Sequence, residues 1–295
     1  MTMEQVANPM LASSVYRYNW LVNGGFEWWQ RGNGPFTAQS AFACDRWQIN
    51  LDGTDTLSVS KDTTNVDTGS AAAAALTYTR GNGGNVTAFY QRVEDIYQMR
   101  GRTLTFTVRI RTSTANVARV NWSNQTARQT PSAYHTGNGV YQTLSSTYSS
   151  APSDTVLMPT IEINNASATV YVDNATVVVG AVGADYVPLH ISDELARCQR
   201  YYERLADDGD GTLIISLGNV TTVNTWVRGT FHFKVVKAVV PTATKVGTWS
   251  GAVTTGIVQV VGTKSLYFGG AAPGTGDQYL YNMSGGANIT LEANP

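Results

Sequence analysis

The sequence predicts an all-β protein with an N-terminal jelly-roll β-sandwich, one linking helix and a smaller C-terminal β domain. Charged residues make up only 14% of the chain, and Thr, Ser, Asn, Gly and Val are abundant, a composition that suits strands and turns better than helices. Segments of alternating apolar and polar residues recur along the chain, and glycine-rich clusters separate them. A chain of 295 residues is long enough for two domains.

The first predicted element, residues 1–18, is an N-terminal arm with weak periodicity. Terminal segments of this kind are usually disordered unless a neighbour holds them, so we expect the arm to dock on another subunit. The opening MTMEQVANPM lacks the basic and apolar regions of a signal peptide. No window reaches the ~20 apolar residues of a membrane span, so we expect a soluble protein without an export signal.

Residues 19–187 are predicted to form the jelly-roll sandwich. The segment TLTFTVRIRT (103–112) alternates cleanly, because Phe106, Val108 and Ile110 share one face while threonines and arginines share the other. Similar patterns occur in three further segments: ALTYTR (75–80), TVLMPTIEI (155–163) and ATVYVDNATVVVG (168–180). Many strands with regular turns between them, and no long helical pattern, indicate a sandwich or jelly roll.

The linking segment, residues 188–211, contains the predicted helix SDELARCQRYYERL (192–205). Ser192 is the predicted N-cap, and acidic residues follow in the first turn, where the helix dipole favours negative charge. The apolar stripe of this helix consists of Leu195, Cys198, Tyr202 and Leu205. Strand-like segments return after it, so residues 212–295 are predicted to form the smaller C-terminal β-sandwich domain.

The sequence offers little support for an enzyme. Its three histidines lie in unrelated settings, at His135, His190 and His232. No Gly-x-Ser-x-Gly nucleophile motif accompanies them, and scattered histidines do not build a zinc site. A glycosidase or depolymerase, the alternative, needs two carboxylates across a cleft. The first domain contains carboxylates without a paired motif, namely Glu27, Asp45, Glu94, Glu162 and Asp173. We therefore expect no catalytic activity.

Charge and cysteine content set further limits. The formal net charge is −1 at pH 7, so we expect neither nucleic acid nor an anionic membrane as a partner. Cys44 and Cys198 lie far apart and lack the spacing of metal ligands. We expect two buried thiols, and a disulfide between them is the alternative.

Two short motifs mark the start and the end of the predicted sandwich, Asn23-Gly24-Gly25-Phe26-Glu27 and Tyr171-Val172-Asp173-Asn174. Together they resemble the jelly-roll carbohydrate-binding modules, which begin with an N-x-GFE stretch and close with a strand that carries V-D-N. The resemblance covers residues 20–180 and implies that Glu27 and Asp173 lie side by side and bind a structural Ca²⁺ ion. Calcium prefers several hard oxygen ligands, and two buried carboxylates without a cation would repel each other. The alternative places Glu27 on the surface in a glycine turn and Asp173 as a strand cap.

Three landmarks follow in the order found in bacteriophage virion proteins: NGGFEWWQRG (23–32) with CDRW (44–47), VTAFYQRVEDIYQMRGRTLTFTVRIRTST (86–114) and ELARCQRYYER (194–204). The chain resembles those of the capsid decoration or tail fibre type. The resemblance implies a non-enzymatic structural protein on the virion surface of a tailed phage, made in the host cytoplasm. It would be a capsid decoration or short fibre protein that assembles as an oligomer, most simply a homotrimer, with other virion proteins as partners.

Aromatic residues point to an alternative function in host attachment. Adjacent strand residues face opposite sides, so one of Trp28 and Trp29 should enter the core, and Trp47 is expected there as well. An exposed aromatic ring can stack on a sugar ring. The candidate carbohydrate contacts are Trp28, Trp122 and Tyr134, with structural packing as their alternative role. The corresponding function is a receptor-binding tail protein that recognises host surface glycans.

Overall fold

A computed structural model of the chain describes residues 18–82, 86–124, 127–205, 214–247, 249–251, 257–272, 274–282 and 288–295. The regular structure is almost entirely β, as predicted. The chain divides into two compact units, of which the first ends at Pro188 and the second begins at Leu189. The predicted N-terminal arm, residues 1–18, lies outside the described residues except for Tyr18.

The first unit is a sandwich of two antiparallel five-stranded sheets, with strand orders β1-β4-β9-β6-β7 and β2-β3-β10-β5-β8. Its strands are β1 (Gln48–Asn50), β2 (Thr56–Asp62), β3 (Ala73–Thr79), β4 (Thr87–Tyr90), β5 (Thr103–Arg111), β6 (Ala118–Ser123), β7 (Arg128–Gln129), β8 (Gln142–Ser149), β9 (Met158–Ile163) and β10 (Ala168–Val179). A single 3₁₀ turn at Ile96–Gln98 precedes β5. The alternation predicted for β5 is confirmed, because Phe106, Val108 and Ile110 are fully buried while Arg109 and Arg111 are partly exposed.

Aromatic rings fill the core at the end of the sandwich where the Asn23–Glu27 motif lies. The Trp47 ring packs 4.8 Å from Phe26 and 5.4 Å from Phe89 between ring centroids, and its indole N–H donates to the Asn23 carbonyl at 3.1 Å. Trp47 is fully buried, as predicted. Trp29 is buried and Trp28 is partly exposed, so the prediction that one member of this pair enters the core is also confirmed.

The described residues of the second unit form one helix, α1 (Ile191–Gln199), and three three-stranded sheets with orders β11-β19-β14, β12-β18-β15 and β13-β17-β16. Its strands are β11 (Tyr202–Leu205), β12 (Ile214–Val220), β13 (Trp226–His232), β14 (Thr242–Val246), β15 (Trp249–Gly251), β16 (Ile257–Val260), β17 (Ser265–Ala271), β18 (Gly276–Asn282) and β19 (Asn288–Glu292). Within the described residues no helix is long and apolar enough to cross a membrane.

The helix is shorter than predicted, because residues 202–205 form strand β11. Tyr202 pairs with Glu292 and Leu205 pairs with Ile289 on β19, so the sheet satisfies the backbone groups that a longer helix would have used. The predicted cap at Ser192 is also wrong by two residues. The His190 side chain accepts from the Ser192 N–H at 3.4 Å and is the N-cap.

A buried ion pair within the second unit connects the end of α1 to the segment around Lys237. The Lys237 ammonium lies 2.5 Å from a Glu203 carboxylate oxygen, with both side chains fully buried, and it also donates to the Gln199 carbonyl at 2.5 Å. Desolvation lowers the pKa of Lys237, while the Glu203 carboxylate raises it. A buried charge is tolerated when it is paired and hydrogen-bonded, so these contacts hold the segment around Lys237 against α1 and β11.

Both cysteines are buried thiols outside any disulfide, as predicted. Burial raises the pKa of the Cys44 thiol well above its usual range, and the neighbouring Asp45 carboxylate adds to the effect. A thiol with a raised pKa is a poor nucleophile at neutral pH. Cys44 therefore acts as a small apolar core residue.

Candidate functional site

The outer face of the β1-β4-β9-β6-β7 sheet carries polar side chains in register. Ala88, Glu162 and Arg119 lie opposite one another on β4, β9 and β6. Tyr90, Thr160 and Asn121 form the next row. Successive strand residues point to opposite faces, so the buried apolar neighbours of these residues face the core. Three strands that are distant in sequence thus place their polar residues on one surface.

A groove with a volume of about 340 Å³ crosses this face. We refer to it as the polar groove. Its lining residues are Asn50, Val86, Ala88, Tyr90, Arg92, Asn121, Ser123, Arg128, Met158, Thr160 and Glu162. Small side chains at Ala88, Ser123 and Thr160 leave space above the strands, and longer side chains of their neighbours border that space.

Glu162 is the electrostatic centre of the polar groove. Its side chain is only 1% exposed and forms ion pairs with Arg119 at 2.6 Å and Arg128 at 2.7 Å. The Asn121 amide also donates to this carboxylate. Burial of an unpaired carboxylate would be costly, so the two guanidinium groups stabilise Glu162 and are themselves held in fixed orientations.

Two polar groups of the polar groove are left without partners in the described part of the chain. The side-chain oxygen of Asn121 is buried and accepts no hydrogen bond. The Arg92 guanidinium lines the groove without an ion pair to any described residue. Tyr90 presents its ring, and its hydroxyl donates to Gln48 at 2.5 Å. The groove therefore offers a cation and an aromatic surface to a ligand.

Tyr134, a predicted carbohydrate contact, lies next to this charged cluster. The Arg119 guanidinium sits over its ring, 4.5 Å from the ring centroid. One face of the ring is thus covered by the residue that pairs with Glu162. Tyr134 supports the orientation of Arg119, and its direct contact with a sugar stays a prediction.

The structure contradicts the predicted role of Trp122. It was predicted as a carbohydrate contact, but it is fully buried, its indole N–H donates to the Ser146 carbonyl at 3.0 Å, and its ring packs against Phe106 and Tyr148. The alternation along β6 turns Trp122 inward and its neighbours Asn121 and Ser123 outward. Trp28 is partly exposed, and its role as a sugar contact stays a prediction.

The predicted calcium ligands lie on segments that meet. The Ala175 N–H donates to the Gly24 carbonyl at 2.8 Å, and a Cβ on Gly24 would lie 2.3 Å from the Ala175 carbonyl oxygen. Only glycine permits this approach. The strand that carries Asp173 therefore runs directly beside the motif that carries Glu27.

The surroundings of the two carboxylates differ. Asp173 is fully buried and accepts the backbone N–H groups of Asp67 at 3.0 Å and Asn174 at 2.8 Å. Burial raises its pKa to about 6, and the nearby Asp67 carboxylate contributes to the rise. Glu27 is partly exposed, and its carbonyl accepts from the Lys61 ammonium at 3.0 Å. The described side chains include no group of three or more acidic, histidine or cysteine residues that could hold a metal, so a Ca²⁺ ion shared by Glu27 and Asp173 stays a prediction.

A smaller cavity of about 270 Å³ lies on the sheet that contains β10. Arg109 and Asp67 both line it and form an ion pair at 2.6 Å. Burial favours a raised pKa for Asp67, but the hydrogen bond and the charge of Arg109 outweigh it, so the pKa of Asp67 lies below its ordinary value. Asp185 lines the same cavity. This acidic cavity lies on the opposite sheet from the polar groove.

Sequence reasoning missed most of the polar groove. Tyr90, Arg92, Asn121 and Arg128 were not singled out, and Glu162 was noted only as an available carboxylate. A signal was present, because Glu162 lies between Ile161 and Ile163 in an apolar strand. A carboxylate at such a position must face outward or find a partner.

No protein-family model matches the chain, and no curated protein matches it. Among solved structures, the enzymatically active domain of bacteriophage CBA120 tailspike protein 4 is 14% identical, with a TM-score of 0.39 over 55% of this chain and 21% of that one. The chain thus spans about a fifth of that tailspike structure. A protein from Bacteroides thetaiotaomicron that is proposed to bind sugar is 11% identical, with a TM-score of 0.40 over 55% of this chain and 100% of that one. The CBM22-1 xylan-binding domain from Paenibacillus barcinonensis Xyn10C is 11% identical, with a TM-score of 0.36 over 57% and 97%.

Proposed function

We propose that the first unit is a non-enzymatic glycan-binding domain and that the chain recognises host surface glycans as a receptor-binding protein of a tailed phage. The observation that carries this proposal is the polar groove, with Tyr90, Arg92, Asn121, Arg128 and Glu162 on one open sheet face. The phage setting rests on the order of the sequence landmarks and not on the groove.

The chemistry of the polar groove suits a saccharide. Sugar hydroxyls both donate and accept hydrogen bonds, and planar amide, guanidinium and carboxylate groups supply matching partners. The ring of Tyr90 offers an apolar face for the C–H surface of a sugar. Because the ion pairs of Glu162 already fix Arg119 and Arg128, little side-chain freedom would be lost on binding.

The carboxylates that line the polar groove favour binding without catalysis. Glycoside hydrolysis by most enzymes requires two carboxyl groups on either side of the scissile bond. Among the residues that line the polar groove, Glu162 supplies one carboxylate, and it is committed to two arginines. We therefore propose recognition and not cleavage.

The second unit favours an additional role as a structural virion protein, of the capsid decoration or short fibre type. Val236, Val239 and Val240 are exposed by 47%, 38% and 61%, and Trp226 is exposed by 49%. Val236, Val239 and Val240 lie within five residues of one another in the chain, and neighbouring exposed apolar residues are typical of protein contact surfaces. We propose that this unit contacts other virion proteins or further copies of the chain in a homotrimer. Multi-angle light scattering of the purified chain tests the trimer, and a monomeric mass at micromolar concentration would contradict it.

The glycan proposal is tested by binding of the full chain to an array of bacterial surface polysaccharides, followed by titration calorimetry on the hits. Tyr90→Ala should weaken binding about three- to tenfold, the range expected for loss of one aromatic contact. Tyr97→Ala is the matched control, because Tyr97 is 74% exposed and lies outside the polar groove. Absence of any hit, or equal effects of the two variants, would contradict the proposal. Release of reducing ends would contradict its non-enzymatic part.

A further inference from the structure

We infer that the polar groove selects saccharides that carry an anionic group, and that Arg92 is the residue that receives it. This inference rests on the proposed glycan-binding function and adds the chemical class of the ligand. It follows from two properties of the groove: its local charge and the unpaired state of one arginine.

The local charge is positive. Arg92 and Arg128 line the polar groove with Glu162, and Arg119 pairs with Glu162 from the same face. Three guanidinium groups against one carboxylate leave an excess of two positive charges. The whole chain has a formal net charge of −1, so the excess is a local feature of this face and not a property of the composition.

The three arginines are not equivalent. Arg119 and Arg128 neutralise Glu162, whereas the Arg92 guanidinium has no ion-pair partner in the part of the chain that the structure describes. The backbone around Arg92 is nevertheless fixed. The Gln91 and Val93 N–H groups donate to the carbonyls of Pro159 and Leu157, which continues the β4–β9 ladder past Tyr90 and holds Arg92 on the groove face.

An unpaired guanidinium on a fixed backbone is a ready receptor for an oxyanion. Its planar donors match a carboxylate or phosphate in a two-point contact, and such charge-assisted hydrogen bonds are about twice as strong as neutral ones. A neutral glycan would leave the Arg92 charge without a counterion.

The test compares each polysaccharide bound on the array with chemically neutralised forms of itself. Carboxyl groups are reduced with carbodiimide and borohydride, and phosphates are removed with hydrofluoric acid. We expect hits among acidic chains and a loss of about tenfold or more in affinity after neutralisation, equivalent to the free energy of one charge-assisted contact. Loss on reduction identifies a carboxylate ligand, and loss on dephosphorylation identifies a phosphate.

Arg92→Gln should weaken binding of the acidic form by about the same tenfold factor and leave binding of the neutralised form unchanged. Arg102→Gln is the matched control, because it removes the same charge at an exposed position of the same unit. Tight binding of neutral chains, or an equal effect of Arg92→Gln on both forms, would overturn this inference while the glycan-binding proposal stands. Binding to no chain would overturn both.

Discussion

The raised pKa of Asp173 predicts how the stability of the first unit depends on pH. Burial raises its pKa from 3.8 to about 6, although the backbone N–H of Asp67 and the Ser70 side chain favour the ionised form. Because the folded-state pKa is raised, the stability that Asp173 contributes is fully present below the unfolded pKa of about 3.9 and is lost as pH rises through about 6. A shift of about two pKa units, at ~1.36 kcal/mol each, amounts to about 3 kcal/mol.

The assay is urea unfolding of the wild type and Asp173→Asn between pH 4 and pH 8, in buffer with a calcium chelator. Tryptophan fluorescence reports mainly on the first unit, which contains five of the seven tryptophans. The variant cannot ionise at this position, so the wild-type free energy of unfolding minus that of the variant should fall by up to about 3 kcal/mol across this range. The subtraction removes the contribution of carboxylates with lowered pKa, such as Asp55 and Asp62. A difference that does not change with pH would refute the reasoning.

Three further predictions concern the metal and the cores. If Glu27 and Asp173 share Ca²⁺, millimolar calcium, roughly the level that weak structural sites require, should raise the Tm at pH 8. Glu27→Gln should remove that rise. A wild-type Tm that does not change with calcium would contradict a Ca²⁺ site shared by Glu27 and Asp173. Trp122→Ala should destabilise the first unit by about 3–5 kcal/mol through the cavity that it leaves, and a loss below about 1 kcal/mol in urea unfolding would contradict full burial. Lys237→Met should cost about 3–5 kcal/mol, because it leaves Glu203 buried and uncompensated. Lys237→Met combined with Glu203→Leu should recover most of that stability in the same measurement.

The fold class was predictable from the sequence because alternation is a local property. The alternation of Val108 and Arg109 indicates the two faces of β5 without any knowledge of the neighbouring strands. The same alternation predicts that one of the adjacent residues Trp28 and Trp29 lies in the core. The prediction failed where the outcome depends on partners distant in the chain. Tyr202 and Leu205 fit a helical stripe equally well, and pairing with β19 made them a strand.

The polar groove was out of reach for a related reason. It unites residues of β4, β6, β7 and β9, and their order in the sheet follows from strand pairing that no local pattern encodes. Trp122 was predicted on the wrong face because the register of β6 was not known, and a shift of one residue exchanges the core face for the outer face. The candidate contact was therefore the wrong residue on the right strand, beside Asn121.

A net charge near zero does not argue against an anionic ligand, because the charge around the polar groove differs from that of the chain as a whole. The groove face holds Arg92, Arg119 and Arg128 around Glu162. The opposite sheet carries Asp67 and Asp173 together with Arg109 and Arg111. Stacked sheets lie about 10 Å apart, and the Debye length at physiological ionic strength is about 8 Å. A ligand on the outer face of the groove sheet is therefore closer to these arginines than to the opposite carboxylates, and Coulomb interactions weaken with distance. Raised salt should therefore weaken binding of the acidic glycan, because it screens the contact between the glycan and the groove arginines.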